Sequence, residues 1–393
     1  MTSMRVNEIV EILETLLPAV DGPYHLHEPV LGDLEEEMLT TCIREGYVSY
    51  LGRLVTEFEE KLAEISGVKF AIAVTNGTVA IHALLSELNI GNGDEVICPA
   101  LTFAGTVNAI THAGAIPHFV EVEEEMLGID PEALKVYLTK ISIQKKEGVF
   151  NRETGRQIKA LMPVHIFGHP CNIQALKVIA EEYSLLLIED CAESIGTLYH
   201  GHPLGSYGIG SILSFNGNKI VTTGGGGAIL TNDEALARRI KHMATTAKVP
   251  HAWRIYHDRA GFNYRMPNIN AAIGVAQLKR LPKLLEQKRA IALLYERAFQ
   301  NAKHWQYVKE PQHAKSNFWL NAIKLDVDSM EVLENSLEAL SKKGFHCRPI
   351  WTPAHQLPMY KECPKMDLNL TEKLSRQILC LPSSPKLFGA MNG

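Results

Sequence analysis

The stretch FAIAVTNGTVAIHALLSELNIGNGDEVICPA, residues 70–100, reads as a strand, a helix and a second strand. Its first seven residues are a short apolar run, residues 78–90 repeat apolar side chains at helical spacing, and residues 94–100 form another short strand. A strand, a crossover helix and a strand make the unit of a parallel sheet. This stretch therefore predicts an α/β fold in which helices cover a mainly parallel sheet.

The same alternation continues on both sides of this unit. It predicts helices at 6–17, 32–46, 55–67, 103–114 and 172–184, and strands at 116–122, 158–168, 185–190, 210–216 and 225–232. The charged insert at 142–157 is interpreted as irregular surface structure. We therefore expect residues 1–250 to form a large α/β domain that includes an N-terminal helical segment.

The chain changes character from about residue 250. A long helical run at 267–300 is predicted to break near Pro282, and a strand at 318–326, a helix at 329–344 and a strand at 345–351 follow it. This mixture predicts a second, smaller α+β domain at residues 251–393.

Composition narrows the class of protein. The chain has 393 residues, 46% of them hydrophobic, and a net charge of −5, which argues against a dedicated nucleic-acid-binding protein. Its seven cysteines are scattered without a CxxC pair, which favours a reduced cytoplasmic protein over a disulfide framework or a metal site. The N-terminus lacks a secretory signal pattern, and no apolar run reaches the length of a membrane span. We expect a cytoplasmic location, no membrane contact and no metal.

Several residues of interest lie at the carboxyl ends of predicted strands. They are Asn76, Gly77 and Thr78, residues 99–103, His165, Asp190 and Lys219. In open α/β sheets, ligands bind beyond the carboxyl ends of the strands. The coincidence of position and chemistry predicts a binding site at that edge.

One lysine has an unusual setting. In SFNGNKIVTTGGGGAIL, residues 214–230, Lys219 stands between a polar turn and the four consecutive glycines Gly224–Gly227. Glycine allows positive φ angles and close approach of the backbone to another group. The segment is typical of a lysine held against a bound, phosphorylated ligand, and a glycine-rich hairpin with a solvated lysine is the alternative.

Six segments spread over the chain resemble the DegT/DnrJ/EryC1/StrS family of sugar aminotransferases. They read TNGTVAIHALL, CPALTFAGTVNAI, MPVHIFGHPCNI, IEDCAESIG, SFNGNKIVTTGGGGAILTND and GFNYRMPNINAAIGVAQL. The resemblance implies fold type I of the pyridoxal phosphate-dependent transferases, with a mainly parallel seven-stranded sheet in the large domain. It also implies pyridoxal 5′-phosphate as cofactor, with pyridoxamine phosphate as its second form. The segment at 24–49 is similar to the subgroup that makes legionaminic acid or bacillosamine precursors.

The resemblance implies a role for four residues around the cofactor ring. Lys219 matches the Schiff-base lysine, which also moves a proton during the reaction. Asp190 matches the partner of the pyridinium N–H, because strand alternation turns Glu189 the other way; a helix N-cap is the alternative. Phe103 matches an aromatic ring that stacks on the cofactor, although a buried Phe is usually core. Glu193 stands near the ring hydroxyl.

The phosphate site follows from the same resemblance. Gly77 and Thr78 start a helix directly after a strand, so their N–H groups and the Thr hydroxyl are expected to bind an anion. Ser214 matches a further phosphate contact. Asn263 matches a residue that the neighbouring subunit contributes, which implies a homodimer with a shared active site.

The implied substrates are glutamate and a nucleotide-linked 4-keto-6-deoxy sugar, of the UDP-4-keto-6-deoxy-GlcNAc type, aminated at C4 for surface-glycan or nonulosonic-acid synthesis. Alternatives are a GDP-perosamine-type 4-aminotransferase, a dTDP-3-keto-sugar aminotransferase, a sugar dehydratase and a non-catalytic regulator. The dehydratases replace the lysine with histidine, whereas position 219 is Lys. Expected substrate contacts are Tyr47, His165, Arg348, Trp351 and His355. The alternatives are a structural role for the histidine at 165, because a lone histidine is usually structural, and domain packing for Trp351.

Two features depart from the family pattern. The glycine run at Gly224–Gly227 lacks the hydroxyl residue or acid that the family commonly has there, and Asn218 precedes the lysine where Thr is more usual. The first departure means that the resemblance assigns no contact to the glycine run, whereas Asn also precedes the lysine in the resembled subgroup.

Overall fold

A computed structural model of the chain describes residues 2–17 and 22–391. The helices in these ranges are α1 (Thr2–Leu16), α2 (Asp33–Glu45), α3 (Arg53–Ser66), α4 (Gly77–Glu87), α5 (Ala104–His112), α6 (Pro131–Ile141), α7 (Ile173–Glu182), α8 (Glu234–Met243), α9 (Asn268–Ala298), α10 (Met330–Lys342), α11 (Asn369–Ser375) and α12 (Leu387–Met391). Short 3-10 helices occupy Ile166–Gly168, Ala354–Gln356 and Pro358–Tyr360.

The strands of the described residues are β1 (Phe70–Val74), β2 (Asp94–Pro99), β3 (Ile116–Val120), β4 (Ser142–Lys145), β5 (Gly148–Asn151), β6 (Gln157–Leu161), β7 (Leu186–Asp190), β8 (Leu198–Tyr199), β9 (His202–Pro203), β10 (Gly210–Ser214), β11 (Gly227–Thr231), β12 (Trp305–Tyr307), β13 (Ala314–Lys315), β14 (Asn321–Leu325), β15 (Arg348–Pro349) and β16 (Ile378–Leu381). They form one large sheet and two small ones.

The large sheet has a seven-stranded centre in the order β1-β11-β10-β7-β6-β2-β3. Strands β10, β7, β6, β2 and β3 run parallel, and β11 runs antiparallel to both of its neighbours. Parallel neighbours need crossover connections, which the intervening helices supply. The predicted α/β class and the mainly parallel seven-stranded sheet are confirmed.

Alternation along the strands builds a core on each face of this sheet. Ala73 of β1 belongs to a cluster with Phe58 of α3, whereas the next residue, Val74, packs in a different cluster with Leu84 of α4. Successive side chains of a strand point to opposite faces, so both faces of a covered sheet are apolar. Both clusters are almost completely buried, which fixes the strand ends that carry the polar residues.

A third apolar cluster joins the two ends of the described chain. Ile9 and Leu13 of α1 pack with Ile291 and Tyr295 of α9 and with residues of the sheet β12-β14-β16-β15. The N-terminal helix therefore shares a core with C-terminal elements. The division of the chain near residue 250 stays a prediction.

The insert at 142–157 is regular, so the prediction of irregular structure there was wrong. Strands β4 and β5 form a hairpin, and β5 pairs antiparallel with the first residues of β6, an inner strand of the large sheet. The buried carboxylate of Glu95 organises this region: it accepts hydrogen bonds from the side chains of Asn151 and Thr154 and bonds to His118 Nδ1 at 2.8 Å. A buried carboxylate needs such partners, and β5 and the turn that follows it supply two of them.

Helix α9 also differs from its prediction, because it continues through Pro282 without a break. Proline removes one N–H of the helix and crowds the preceding turn. Here Pro282 is exposed, while Leu281 and Leu284 beside it are buried, and α9 packs against α2 and α3. Tertiary packing on both sides of the proline therefore outweighs the local cost. None of the helices in the described ranges is both long enough and apolar enough to span a bilayer.

We predict that Pro282→Ala raises the free energy of unfolding by about 1–2 kcal/mol, because it restores a helix hydrogen bond and the loss of proline rigidity in the unfolded chain offsets only part of that gain. Urea unfolding measures the change. Lys283→Ala, at the next exposed position of α9, is the matched control and should change stability by less than about 0.5 kcal/mol. A destabilised Pro282→Ala variant would contradict this account.

Candidate active site

The carboxyl ends of the large-sheet strands border a cavity of about 550 Å³. Predicted site residues that line it are Gly77, Thr78, Phe103, Asp190, Glu193, Ser214, Lys219, Arg348 and Trp351. They come from loops far apart in sequence, and the parallel sheet brings them to one edge. The cavity is therefore the candidate site.

Asp190 ends β7 and is only 3% exposed. Its Oδ2 accepts a hydrogen bond from Thr106 Oγ1 at 2.7 Å, and its Oδ1 accepts one from the Ala192 N–H at 3.0 Å. Burial raises the pKa of Asp190, and these two hydrogen bonds act against that rise. Asp190 therefore presents a buried carboxyl group to the cavity, and no α-helix starts there, since the next begins at Glu234.

Glu189 lies on the other face of the sheet from Asp190. Its carboxylate accepts hydrogen bonds from the backbone N–H groups of Gly205, Tyr207 and Gly208. These donors satisfy both carboxylate oxygens inside the protein. Of the two adjacent acids, only Asp190 lines the cavity.

The opposite end of the cavity has the features of an anion cradle. Helix α4 begins at Gly77 and Thr78, and Asn76 caps it by accepting a hydrogen bond from the Val79 N–H at 2.9 Å. The first N–H groups of a helix have no partner inside the helix, and they lie at its positive end. Ser214, at the end of β10, lies so close that a Cβ on Gly77 would meet Ser214 Cβ at 3.2 Å.

The glycine run beside Lys219 has a packing reason. A Cβ added to Gly227 would lie 2.5 Å from the carbonyl carbon of Asn76, and one added to Gly226 would lie 2.2 Å from Thr223 Oγ1. Gly225 has open space around it. Gly227 thus lets β11 lie directly against the N-cap of α4, which holds the cradle in place, whereas Gly226 makes room for the Thr223 side chain.

The Lys219 side chain lies in the cavity and is 13% exposed. Its Nζ is 3.2 Å from Glu193 Oε1 and 3.6 Å from the ring centroid of Trp319. Glu193 Oε2 accepts a hydrogen bond from the Phe167 N–H at 2.9 Å. Burial raises the pKa of Glu193, and the neighbouring Lys219 acts in the opposite direction. The lysine is therefore an enclosed amine with a carboxylate partner.

Phe103 borders the same cavity at the start of α5. Its side chain is 59% exposed, which is unusual for a phenylalanine with a purely structural role. A Cβ on Gly105 would lie 2.9 Å from the Phe103 ring, so the glycine leaves room for this ring orientation. The exposed face can serve as a stacking surface for a planar ligand.

Arg348 and Trp351 form part of the outer wall. The Trp351 ring packs on Phe167, with centroids 5.6 Å apart and planes tilted by 35°. Arg348 Nη1 donates to the carbonyl of Cys347 at 2.8 Å, and the described residues provide no ion pair for its guanidinium. The wall therefore offers a cation and an indole next to the deeper groups.

Four predicted residues do not line this cavity. His165 is fully buried, with Nε2 3.3 Å from Glu189 and Nδ1 accepting the Cys171 N–H. His355 is buried and bonds to Glu372 at 2.9 Å. Both side chains have protein partners in the described structure, and the substrate contacts expected of these two histidines stay predictions.

Tyr47 and Asn263 are exposed and also lie outside the cavity of their own chain. The Tyr47 carbonyl accepts a hydrogen bond from Asn268 Nδ2 at 2.6 Å, and Asn263 forms a β-bridge with Thr245. The contact of Asn263 with a neighbouring subunit and the substrate contact of Tyr47 stay predictions.

Sequence reasoning missed two residues of the site. Thr106 bonds to Asp190, and Trp319 lies under Lys219. Trp319 stands in the apolar run Phe318–Leu320, directly before β14, where a tryptophan reads as core. Thr106 is one turn from Thr102, and its Oγ1 lies 3.1 Å from that of Thr102. The polar residues at the end of α5 that faces the cavity were the signal that could have identified Thr106.

The groups in the cavity fit pyridoxal phosphate. A buried carboxyl group suits the pyridinium N–H, an amine suits the aldehyde, an exposed aromatic face suits the ring, and helix N–H groups with a serine suit the phosphate. Asp190, Lys219, Phe103 and the Gly77–Thr78 turn supply these four features within one cavity. The fold and site together define a class, the pyridoxal phosphate-dependent transferases.

The sequence model of the DegT/DnrJ/EryC1/StrS aminotransferase family matches residues 29–391, so the chain belongs to this family. A GDP-perosamine synthase of Vibrio cholerae is 38% identical over 366 residues, which cover 92% of this chain and 94% of the relative. EpsN of Bacillus subtilis, named provisionally as a pyridoxal phosphate-dependent aminotransferase, is 33% identical and covers 92% of this chain and 91% of its own.

The crystal structure of a DegT DnrJ EryC1 StrS aminotransferase from Brucella abortus superposes with a TM-score of 0.80 at 28% identity, over 91% of this chain and 94% of the other. The predicted family, the aminotransferase activity and the pyridoxal phosphate cofactor are confirmed by these comparisons. The chain is a sugar aminotransferase.

We predict that Gly227→Ala lowers the affinity for pyridoxal phosphate at least about tenfold and destabilises the fold by about 1–3 kcal/mol, because its Cβ pushes β11 away from the cap of α4. Equilibrium dialysis and urea unfolding measure the two effects. Gly225→Ala, two positions away, is the matched control: its added Cβ would meet no atom within 4 Å, so this variant should stay close to wild type. If the two variants had equal cofactor affinity and equal stability, the contact of β11 with the N-cap of α4 would not hold the cradle in place.

Proposed function

We propose that the protein transfers an amino group from glutamate to the C4 keto carbon of a nucleotide-linked 4-keto-6-deoxy sugar. The observation that carries the proposal is the convergence of the Lys219 amine, the Asp190 carboxyl group and the Gly77–Thr78 turn in one cavity. Transamination at a sugar keto group needs an amine that can exchange, a fixed cofactor and room for a large substrate, and this cavity supports all three.

In this proposal, pyridoxal phosphate supplies a ring that accepts the electrons released when a carbon next to nitrogen loses its proton. Asp190 holds the proton on the ring nitrogen, and Thr106 orients the Asp190 carboxylate. Phe103 covers one face of the ring. Gly77, Thr78 and Ser214 hold the phosphate, so the ring is fixed at both ends.

Lys219 has two functions in the proposed reaction. Its amine binds the cofactor between turnovers, and after release the same Nζ moves the proton between the substrate carbon and the cofactor carbon. Glu193 lies 3.2 Å from Nζ and stabilises the form of Lys219 that carries the proton. The two half-reactions are served by one base, which is consistent with a single cavity for both substrates.

For the sugar nucleotide, the outer wall supports an anionic substrate. Arg348 has a guanidinium suited to a diphosphate, and Trp351 has a ring suited to a base or sugar face. The 38% identity to a GDP-perosamine synthase favours the GDP-linked alternative over the UDP-linked type expected from the segment at 24–49. We therefore put the GDP-linked 4-keto-6-deoxy sugar first.

A sugar dehydratase is the second candidate function. Position 219 is Lys rather than His, which favours transamination, as does the relation to an aminotransferase family. A non-catalytic regulator would have no need for an enclosed amine, a buried carboxyl group and an anion cradle in one cavity. These observations support the aminotransferase over both alternatives.

The test is an assay of the holoenzyme with glutamate and a panel of GDP-, UDP- and dTDP-linked keto sugars, with 2-oxoglutarate and the amino sugar as readouts. We predict the highest kcat/KM with the GDP-linked sugar, and a loss of about a thousandfold or more in Lys219→Ala. Borohydride treatment should leave a pyridoxyl group on Lys219, located by peptide mass spectrometry. Dehydration without 2-oxoglutarate, or an adduct at another lysine, would overturn the proposal.

We further propose that the active enzyme is a homodimer in which Asn263 contacts the phosphate bound by the neighbouring subunit. Asn263 is exposed and lies outside the cavity of its own chain, which supports a contact made between chains. Trp253, Ile255 and Tyr256, on the loop that precedes it, are also strongly exposed. Large exposed apolar side chains of this kind are typical of an interface.

Subunit mixing tests this arrangement. We expect Lys219→Ala and Asn263→Ala homodimers each to be weakly active, and a mixture refolded at equal ratio to regain about a quarter of wild-type activity, because half of the dimers are mixed and each has one complete site. The Lys219→Ala protein, refolded alone by the same procedure, is the control. No recovery on mixing, or an active monomer in sedimentation, would place Asn263 in its own subunit and contradict the proposal.

A further inference from the structure

The Trp319 ring lies directly under the amine of Lys219. The Lys219 Nζ is 3.6 Å from the ring centroid, within the range of a cation–π interaction. On its other side, the same Nζ is 3.2 Å from Glu193 Oε1. The amine is therefore held between a carboxylate and an aromatic face, and both of these groups prefer it in the ammonium form.

Trp319 is fixed at three points. Its indole Nε1–H donates to the carbonyl of Asn218 at 2.7 Å, and its backbone N–H donates to Asn317 Oδ1 at 2.8 Å. Its carbonyl accepts a hydrogen bond from Lys288 Nζ at 2.8 Å. Trp319 is 5% exposed and Lys288 is fully buried. The ring is therefore preorganised, and one of its anchors is the residue adjacent to Lys219.

We propose that Trp319 is a positioning residue that, together with Glu193, holds the ammonium form of Lys219 whenever the amine is not bonded to the cofactor. This role rests on the proposed function. It explains why a tryptophan buried in an apolar run has its face, rather than its edge, against a charged group. The Lys219 amine then keeps its position from its release by the cofactor until it bonds to the cofactor again.

The contact affects the balance between two bound forms of the cofactor. For pyridoxal phosphate to bond to Lys219, the ammonium would first pass a proton to Glu193 Oε1, 3.2 Å away; the amine would then add to the aldehyde, and a C=N bond would form with loss of one water. Pyridoxamine phosphate has no aldehyde, so Lys219 stays free on the Trp319 ring. Stabilisation of the free ammonium therefore opposes binding of pyridoxal phosphate and leaves that of pyridoxamine phosphate unaffected.

The test compares the affinities of the cofactor-free protein for these two compounds by titration calorimetry. In Trp319→Leu we expect the ratio of affinities, pyridoxal phosphate over pyridoxamine phosphate, to rise about threefold to thirtyfold, the range of a buried cation–π contact. Trp319→Phe keeps an aromatic face and lacks the indole N–H, so it should show a smaller rise. A general distortion of the cavity would lower both affinities and leave their ratio unchanged.

If the Trp319→Leu variant fails to fold, a second measurement tests the proposal without that substitution. Fluorinated tryptophan, incorporated at all four tryptophans, changes the ring electrons with little change in shape, and it should raise the same ratio in proportion to the number of fluorine atoms. The Trp319→Phe protein made with fluorinated tryptophan is the control, and its ratio should not respond.

Three results would overturn the role of Trp319. They are an unchanged ratio in Trp319→Leu, a rise in Trp319→Phe as large as that in Trp319→Leu, and an equal fluorine response in the Trp319→Phe control. Each of these leaves the proposed aminotransferase intact if the wild type still bonds pyridoxal phosphate at Lys219. Wild-type protein that binds neither compound would instead remove both proposals.

Discussion

The buried carboxyl group of Asp190 is the constraint on which the rest of the site depends. A carboxyl group at 3% exposure is costly unless its oxygens are partnered, and Thr106 and the Ala192 N–H provide only part of that partnership. Strand β7 fixes its position, because the parallel neighbours on both sides leave the strand no freedom. The cavity, the amine of Lys219 and the cradle at Gly77 are all arranged around this point.

Sequence patterns predicted this part of the molecule because their signals are local. Strand alternation separates Asp190 from Glu189, and a strand followed by a capped helix marks the Gly77–Thr78 turn. Lys219 stands out through its glycine neighbours. For each of these residues, the physical reason for its position lies within about ten residues of it, so a single sequence contains the information. Most strand and helix locations were predictable for the same reason.

Other features depend on partners that are distant in sequence. The hairpin β4–β5 is regular because its polar groups meet the buried Glu95, about 55 residues earlier, and charged composition alone reads as irregular. Helix α9 remains continuous through Pro282 because it packs against α2 and α3. The face of Trp319 meets Lys219 across 100 residues, and nothing in an apolar run distinguishes such a ring from a core side chain. His165 and His355 do not line the cavity, because residue type does not tell which way a side chain points.

The shared core of α1 and the C-terminal elements affects how the chain is made. Trp305 Nε1 donates to the carbonyl of Arg5, a contact between residues 300 positions apart. At a synthesis rate of about 5–20 residues per second, the first helix leaves the ribosome roughly 15–60 s before that partner exists. The apolar face of α1, with Ile9 and Leu13, stays uncovered during that time. Transiently exposed apolar surface of this kind favours aggregation, so we expect α1 to need protection until its C-terminal partners are made.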